Sequence, residues 1–207
     1  MNNYYIKTCD NFFPIFIRRQ ILADYMNQGT NFVYVPNITY DIKNLEIKEH
    51  IDNWKKNNNI GNTEGFTHTI NEDSLNYKSL EKNLKTFIEK KFDIKVKKFI
   101  RIMISYLPPN PNFDENSILG PHVDHININH FNLLYYLFDN DADTLFFDKI
   151  HDPTIKLQDQ DYPKLNIYKR IQVKENRAVL FNGLIYHSGN VSKYSKRVTL
   201  NVNFLQE

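Results

Sequence analysis

The 207 residues carry 26 Lys and Arg against 24 Asp and Glu, a net charge of +2, so no general positive surplus exists to hold a phosphate backbone. Hydrophobic residues at 41% and charged residues at 24% fit a single globular domain, and aromatics at 14% favour a β-rich core. The single cysteine, Cys9, excludes an intrachain disulfide and suits a reducing cytoplasm.

In chain order, Tyr4–Ile6 reads as a short strand. The apolar run Phe12–Ile17 is short, contains Pro14 and follows Asp10 rather than a basic region, so it does not read as a secretion signal. Residues 14–27 read as a helix, with Pro14 near its first turn and Ile15, Ile21, Leu22 and Tyr25 as its apolar positions. Phe32–Val35 reads as extended. Residues 52–74, polar and rich in Asn, Gly and Thr, read as loop. Asp73 or Ser74 is placed to cap a helix reaching Phe92, whose Leu80, Leu84, Phe87 and Ile88 fall on one stripe. The densest basic stretch, Lys85, Lys90, Lys91, Lys95, Lys97, Lys98 and Arg101, reads as a solvated helix and strand edge rather than a nucleic-acid patch.

The second half changes character. Strand signals lie at Phe99–Tyr106, Phe131–Phe138, Thr144–Phe147, Leu165–Val173, Ala178–Phe181 and Arg197–Phe204. Pro108, Pro109 and Pro111 break the loop Pro108–Gly120 between the first two. The run Leu133–Phe138 is far too short to span a bilayer. Many short strands separated by turns predict a sandwich, jelly roll or small barrel. In the last strand Val198, Leu200, Val202 and Phe204 share one face, and Arg197, Thr199, Asn201 and Asn203 share the other.

His122 and Asp124, in Pro121-His122-Val123-Asp124, sit two residues apart and point to one side of an extended chain, where both reach one metal. His187, within Phe181-Asn182-Gly183-Leu184-Ile185-Tyr186-His187-Ser188-Gly189, follows a strand and a turn and is the best third ligand. Two neutral imidazoles and a carboxylate on one triangular face suit Fe(II) and leave positions for a cosubstrate and O2. A lone His-x-Asp is weak; specificity comes from Arg197, ten residues after His187, with Thr199 on the same face. A guanidinium grips a carboxylate through two parallel hydrogen bonds, and a hydroxyl adds a donor. His50, His68, His125, His130 and His151 read as surface or loop residues, with His125 close enough to Asp124 to support it. Asp139-Asn140-Asp141-Ala142-Asp143 begins like a calcium loop, but Thr144 replaces its Gly and Ile150 its closing Glu, which excludes that reading.

With Ile104-Ser105-Tyr106, Leu133-Leu134-Tyr135-Tyr136-Leu137, Asn176-Arg177-Ala178-Val179-Leu180-Phe181, Tyr186-His187-Ser188-Gly189 and Arg197-Val198-Thr199 added, residues 97–207 resemble the Fe(II)/2-oxoglutarate-dependent dioxygenase superfamily, and its prolyl-hydroxylase-like branch most closely. The resemblance implies a mainly β double-stranded β-helix, a jelly-roll or cupin-like core over 97–207. Residues 1–96 would form a mixed helix and strand support, and 1–207 one domain. It implies His122, Asp124 and His187 as iron ligands, and Arg197 with Thr199 and Tyr136 around the distal carboxylate of 2-oxoglutarate. Tyr106 would be a strand tyrosine near that cosubstrate. The turn often read Gly-Gly-Glu-Thr in the family is Asp141-Ala142-Asp143-Thr144 here, and the usual Pro-Gly after the first strand tyrosine is missing.

The implied reaction is hydroxylation of a C–H bond with O2, releasing succinate and CO2; the partner would be a peptide, an amino acid or another small molecule. Alkylated-DNA repair relatives carry a second Arg six residues after the first, where this chain has Asn203, which argues against nucleic acid. The competing expectations are a non-enzymatic jelly-roll binding or structural protein, and a cupin-like metalloenzyme that does not use 2-oxoglutarate.

Overall fold

The computed structural model describes residues 4–36, 60–61, 64–112, 118–154 and 165–207. His50 and parts of the segments 52–74 and 108–120 lie outside them. The elements run β1 (Ile6–Cys9), α1 (Ile15–Tyr25), β2 (Val33–Val35), β3 (Ile60–Gly61), β4 (Gly65–Ile70), α2 (Tyr77–Phe92), β5 (Val96–Leu107), β6 (Ile118–Leu119), β7 (Phe131–Tyr136), β8 (Asp143–Ile150), β9 (Ile167–Gln172), β10 (Ala178–Asn182), β11 (Ile185–Gly189) and β12 (Arg197–Gln206).

Seven strands form one antiparallel sheet in the order β1-β10-β7-β12-β5-β4-β2. A second antiparallel sheet has the order β11-β8-β9, and β3 pairs with β6 in parallel. The first two make the two walls of the mainly β, jelly-roll architecture expected from the sequence. Among the described residues no helix is long and apolar enough to cross a membrane.

The centre of the large sheet, β10, β7 and β12, is buried on both faces, and its alternation shows how. From β7, Phe131, Leu133 and Tyr135 join one core, while Leu134 and Tyr136 join another. From β10, Ala178 and Leu180 go to the first, Val179 and Phe181 to the second. The first core lies under the helices and takes Val198, Leu200, Val202 and Phe204 of β12. The second lies against the small sheet through Phe146, Ile171 and Ile185. The opposite face of β12 therefore turns its polar residues into the space between the sheets, and Arg197, Thr199, Asn201 and Asn203 are all buried.

The helices cover the outer face. α1 starts directly after Pro14 and buries Ile17, Ile21 and Tyr25, one position per turn, whereas Ile15 is 56% exposed. α2 buries Leu80, Leu84, Ile88 and Phe92 and leaves Phe87 at the edge of the cluster. Its cap position is Asn76, in the left-handed region at φ 56°, rather than Asp73 or Ser74. Ser74 is engaged in the preceding turn, where its hydroxyl accepts from the Asn71 N–H at 3.0 Å.

Several segments depart from the expectations, among them the short strands β3 and β6 inside stretches read as loop. Gly65–Ile70, inside the stretch read as loop, is a strand pairing with both β5 and β2. Its Thr-rich alternation is compatible with a pleated ladder, but its polar composition concealed that. The segment around His187, expected only to follow a strand and a turn, is itself a strand, β11.

Leu84 is fully buried between α2 and the sheet. Leu84→Ala is expected to destabilise the chain by about 2–5 kcal/mol in denaturant titration, through the lost methylenes and the cavity they leave.

Candidate metal centre

His122 and His187 face each other across an isolated antiparallel bridge. Each donates its backbone N–H to the other's carbonyl at 2.9 Å, which fixes the two imidazoles side by side with ring centroids 4.6 Å apart. The β8–β11 register shifts between Ile185 and His187, an irregularity that sits directly beside the ligand. Asp124, two residues beyond His122, completes the cluster: one ligand atom from each of His122, Asp124 and His187 lies within 4.8 Å of the others.

The proton positions follow from partners. His122 Nδ1 lies 3.0 Å from the Gly120 carbonyl, and His187 Nδ1 3.0 Å from the Ile185 carbonyl. A carbonyl can only accept, so each Nδ1 carries the proton and each Nε2 keeps a lone pair for a metal. His187 is 3% exposed, with the Phe181 ring 4.8 Å from its own. Burial pushes its pKa down to about 4, assisted by His122, so it is a neutral ligand at pH 7.

Asp124 is held the other way. Burial alone would raise its pKa, but His187, Arg101, His122 and the Asn203 hydrogen bond outweigh that and hold the carboxyl well below the usual carboxylate range. Among these causes the Arg101 guanidinium is a fixed cation. Its Nη2 lies 3.0 Å from Asp124 Oδ1. Three amides converge on Oδ2: Asn203 Nδ2 at 2.9 Å, Asn201 Nδ2 at 3.2 Å, and Asn132 Nδ2. Asn203 Oδ1 in turn accepts from Arg101 Nε at 2.9 Å.

A second polar group sits further along β12. Arg197 is 5% exposed and donates from Nη1 to the Asp143 carbonyl at 2.8 Å and from Nη2 to Thr144 Oγ1 at 2.7 Å. Tyr136 shares Thr144 Oγ1 at 2.6 Å, and its ring centre lies 5.8 Å from the guanidinium carbon. Burial raises the Tyr136 pKa, which keeps the phenol protonated. A Cβ at Gly189 would fall 3.0 Å from that guanidinium carbon, so glycine makes room for it. Among the described residues no carboxylate forms an ion pair with Arg197. A buried cation satisfied only by neutral groups is suited to an anionic ligand.

The sequence-derived residues thus fall into two groups: His122, Asp124 and His187 in one, Arg197 and Tyr136 in the other. Thr199 lies between them on the inward face of β12, opposite Tyr136 on β7. Tyr106 does not join either group. It pairs with Val198 and packs in the outer core, 6.1 Å from the Phe66 ring and 6.5 Å from the Phe32 ring. The pleat of β5 sends Arg101 to the Asp124 side and Tyr106 to the opposite face, which corrects its expected place beside the cosubstrate.

Arg101, Asn132 and Thr144 were not singled out by sequence reasoning. Asn201 was visible only as a polar position on the Arg197 face, and Asn203 as that and as the place of a missing second Arg. Arg101, read as part of a solvated edge, is the ion-pair partner of Asp124. His130 and His151 are buried rather than superficial, each 4% exposed, and both tie down the loop after Asp124. His130 Nδ1 reaches the Ile128 carbonyl at 2.9 Å and His151 Nε2 the Ile126 carbonyl at 2.9 Å.

No protein-family profile and no curated protein matches this chain. Solved structures do. One is a prolyl-4-hydroxylase from Pseudomonas putida, 11% identical with a TM-score of 0.52, the match covering 99% of this chain and 94% of that one. Another is a 2-oxoglutarate–Fe(II) oxygenase family oxidoreductase from Burkholderia pseudomallei, 11% identical with a TM-score of 0.57 over 98% and 84%. A third is the viral collagen prolyl hydroxylase of Paramecium bursaria Chlorella virus-1 in its 2-oxoglutarate complex, 12% identical with a TM-score of 0.54 over 97% and 95%. The chain has the fold of the Fe(II)/2-oxoglutarate oxygenases. The matches cover 97–99% of this chain, well beyond residues 97–207, and β1, β2 and β4 from the N-terminal half are hydrogen-bonded members of the large sheet.

The depressed pKa of His187 gives a signed pH effect. The unfolded histidine, near 6.5, binds its proton before the folded one, near 4, so stability falls as pH drops through this window. The metal-free protein is expected to melt at a lower temperature at pH 5 than at pH 7, and His187→Phe to shrink that difference; an unchanged difference in the variant would contradict a neutral buried His187.

Proposed function

We propose that this chain is an Fe(II)- and 2-oxoglutarate-dependent oxygenase that hydroxylates a C–H bond, releasing succinate and CO2. The observation that carries the reading is the pairing of two sites on one strand. Asn201 and Asn203 would hold the carboxylate of a three-ligand metal centre, while Arg197 on the same face is a buried guanidinium that forms no ion pair with a carboxylate among the described residues. Arg197 and Asn201 are four residues apart, roughly 13 Å of extended strand, which supports an anion anchor and a metal site along one strand face.

The donor set fits the metal. Two neutral imidazoles and one ionised carboxylate are the ligands ferrous iron takes while keeping open positions. Bound iron and 2-oxoglutarate would supply the activation of O2. The protein's part is binding and orientation. His122, Asp124 and His187 would hold iron, and the Nδ1–carbonyl bonds would keep both Nε2 lone pairs aimed at it. Arg197 would pair with the distal carboxylate of 2-oxoglutarate, with Tyr136 and Thr199 supplying hydroxyl donors. The rings of Phe181 and Phe146, 4.8 and 6.4 Å from that of His187, would exclude water from its buried side. The substrate we assign is a peptidyl residue of prolyl type, with a free amino acid or small metabolite as the next class. Two of the three structures above, prolyl hydroxylases by their descriptions, support that order.

The test is anaerobic addition of Fe(II) and 2-oxoglutarate. The reading predicts the visible charge-transfer band of a chelated keto acid; a cupin-like metalloprotein would bind iron without the band, and a binding module would bind neither. Arg197→Ala is expected to weaken 2-oxoglutarate binding about 10- to 100-fold, losing a charged hydrogen bond of roughly 1.5–3 kcal/mol, with iron affinity retained. Unchanged cosubstrate affinity in that variant would remove Arg197 from the role. Succinate release measured against proline-containing peptides, free amino acids and metabolites then orders the substrate classes.

A further inference from the structure

The surroundings of Asp124 contain more than a metal ligand needs. Oδ2 receives three amide donors, from Asn132, Asn201 and Asn203, two of them on residues fully shielded from solvent. Oδ1 is the oxygen turned to His122, whose Nε2 lies 3.9 Å away, and it also carries the Arg101 guanidinium at 3.0 Å. Arg101 is itself fixed by its Nε bond to Asn203. The carboxylate thus has one oxygen saturated by neutral donors, while the other is shared between a fixed cation and the metal position.

Building on the oxygenase reading, we infer that Arg101 and the three asparagines are positioning residues with opposed effects on the metal. The asparagines lock Asp124 as a one-oxygen ligand by occupying Oδ2, which favours metal binding. Arg101 holds a permanent positive charge beside Oδ1, repels a dication and neutralises part of the ligand's charge, which weakens metal binding. Arg101 acts as an internal counter-ion: it keeps the buried carboxylate paired before metal arrives, and it sets the affinity of the loaded centre below what three unopposed ligands would give.

The experiment is calorimetric titration of Mn(II) or Co(II) into the full chain at fixed pH without cosubstrate, with the Co(II) visible spectrum as a check on the ligand set. Arg101→Gln, which removes the charge, is expected to tighten metal binding at least tenfold. Arg101→Lys, which keeps the charge, is expected to stay within threefold of wild type, and it reports even where the glutamine variant fails to fold. Asn203→Ala is expected to weaken binding at least threefold. A weaker or unchanged affinity in Arg101→Gln, or a shift beyond threefold in Arg101→Lys, would overturn the inference. So would an unchanged or tighter affinity in Asn203→Ala. Absence of metal binding in the wild type would instead sink the oxygenase reading on which it rests.

Discussion

The two backbone hydrogen bonds between His122 and His187 are the constraint on which the rest depends. They join segments 65 residues apart and lie at an isolated bridge rather than in a long ladder. Through them a loop from one side of the jelly roll is tied to β11 of the small sheet. Because Asp124 is two residues beyond His122, fixing that one pair also brings the carboxylate to the metal position. The side chains are then locked from behind, the imidazoles by carbonyls and the carboxylate by amides, so the lone pairs converge without relying on a metal to assemble them.

That bridge is positioned by the large sheet. Its two buried faces do different work: one packs helices through a continuous apolar cluster, and the other lines the space between the sheets. β12 carries both functions in alternate residues. Val198, Leu200, Val202 and Phe204 anchor the strand in the outer core, and Arg197, Thr199, Asn201 and Asn203 are thereby forced inward. Burying four polar side chains in a row is costly unless each finds a partner. Arg197 donates to the Asp143 carbonyl and Thr144, and the Asn201 and Asn203 amides donate to Asp124, while the Asn201 side-chain oxygen is buried without a hydrogen-bond partner among the described residues. The polar interior is therefore a network in which site and scaffold are the same residues.

How much of this the sequence disclosed depends on whether the signal was local. The His-x-Asp spacing and the alternation of β12 are short-range patterns; the first picked out two of the three residues that the structure brings together, and the second picked out the inward face. The role of Arg101 was not legible, because a strand cation among lysines looks solvated until its neighbour across the barrel is known. Tyr106 was misplaced by a motif likeness that ignored the pleat, which puts it on the face opposite Arg101. β4 was missed because threonines and a histidine read as loop when the strands on either side of it are unknown. His151 is buried where it reaches back 25 residues to the Ile126 carbonyl, a long-range contact that no local pattern carries, and His130 bonds the Ile128 carbonyl within the same loop.

The account stands on convergence of His122, Asp124 and His187 on one divalent metal. X-ray absorption spectroscopy of the Fe(II)-loaded protein measures this directly. It should give one iron per chain with the outer-sphere scattering of two imidazoles, and His187→Ala should remove one of them. Iron bound without imidazole scattering, or with scattering unaltered in that variant, would contradict it.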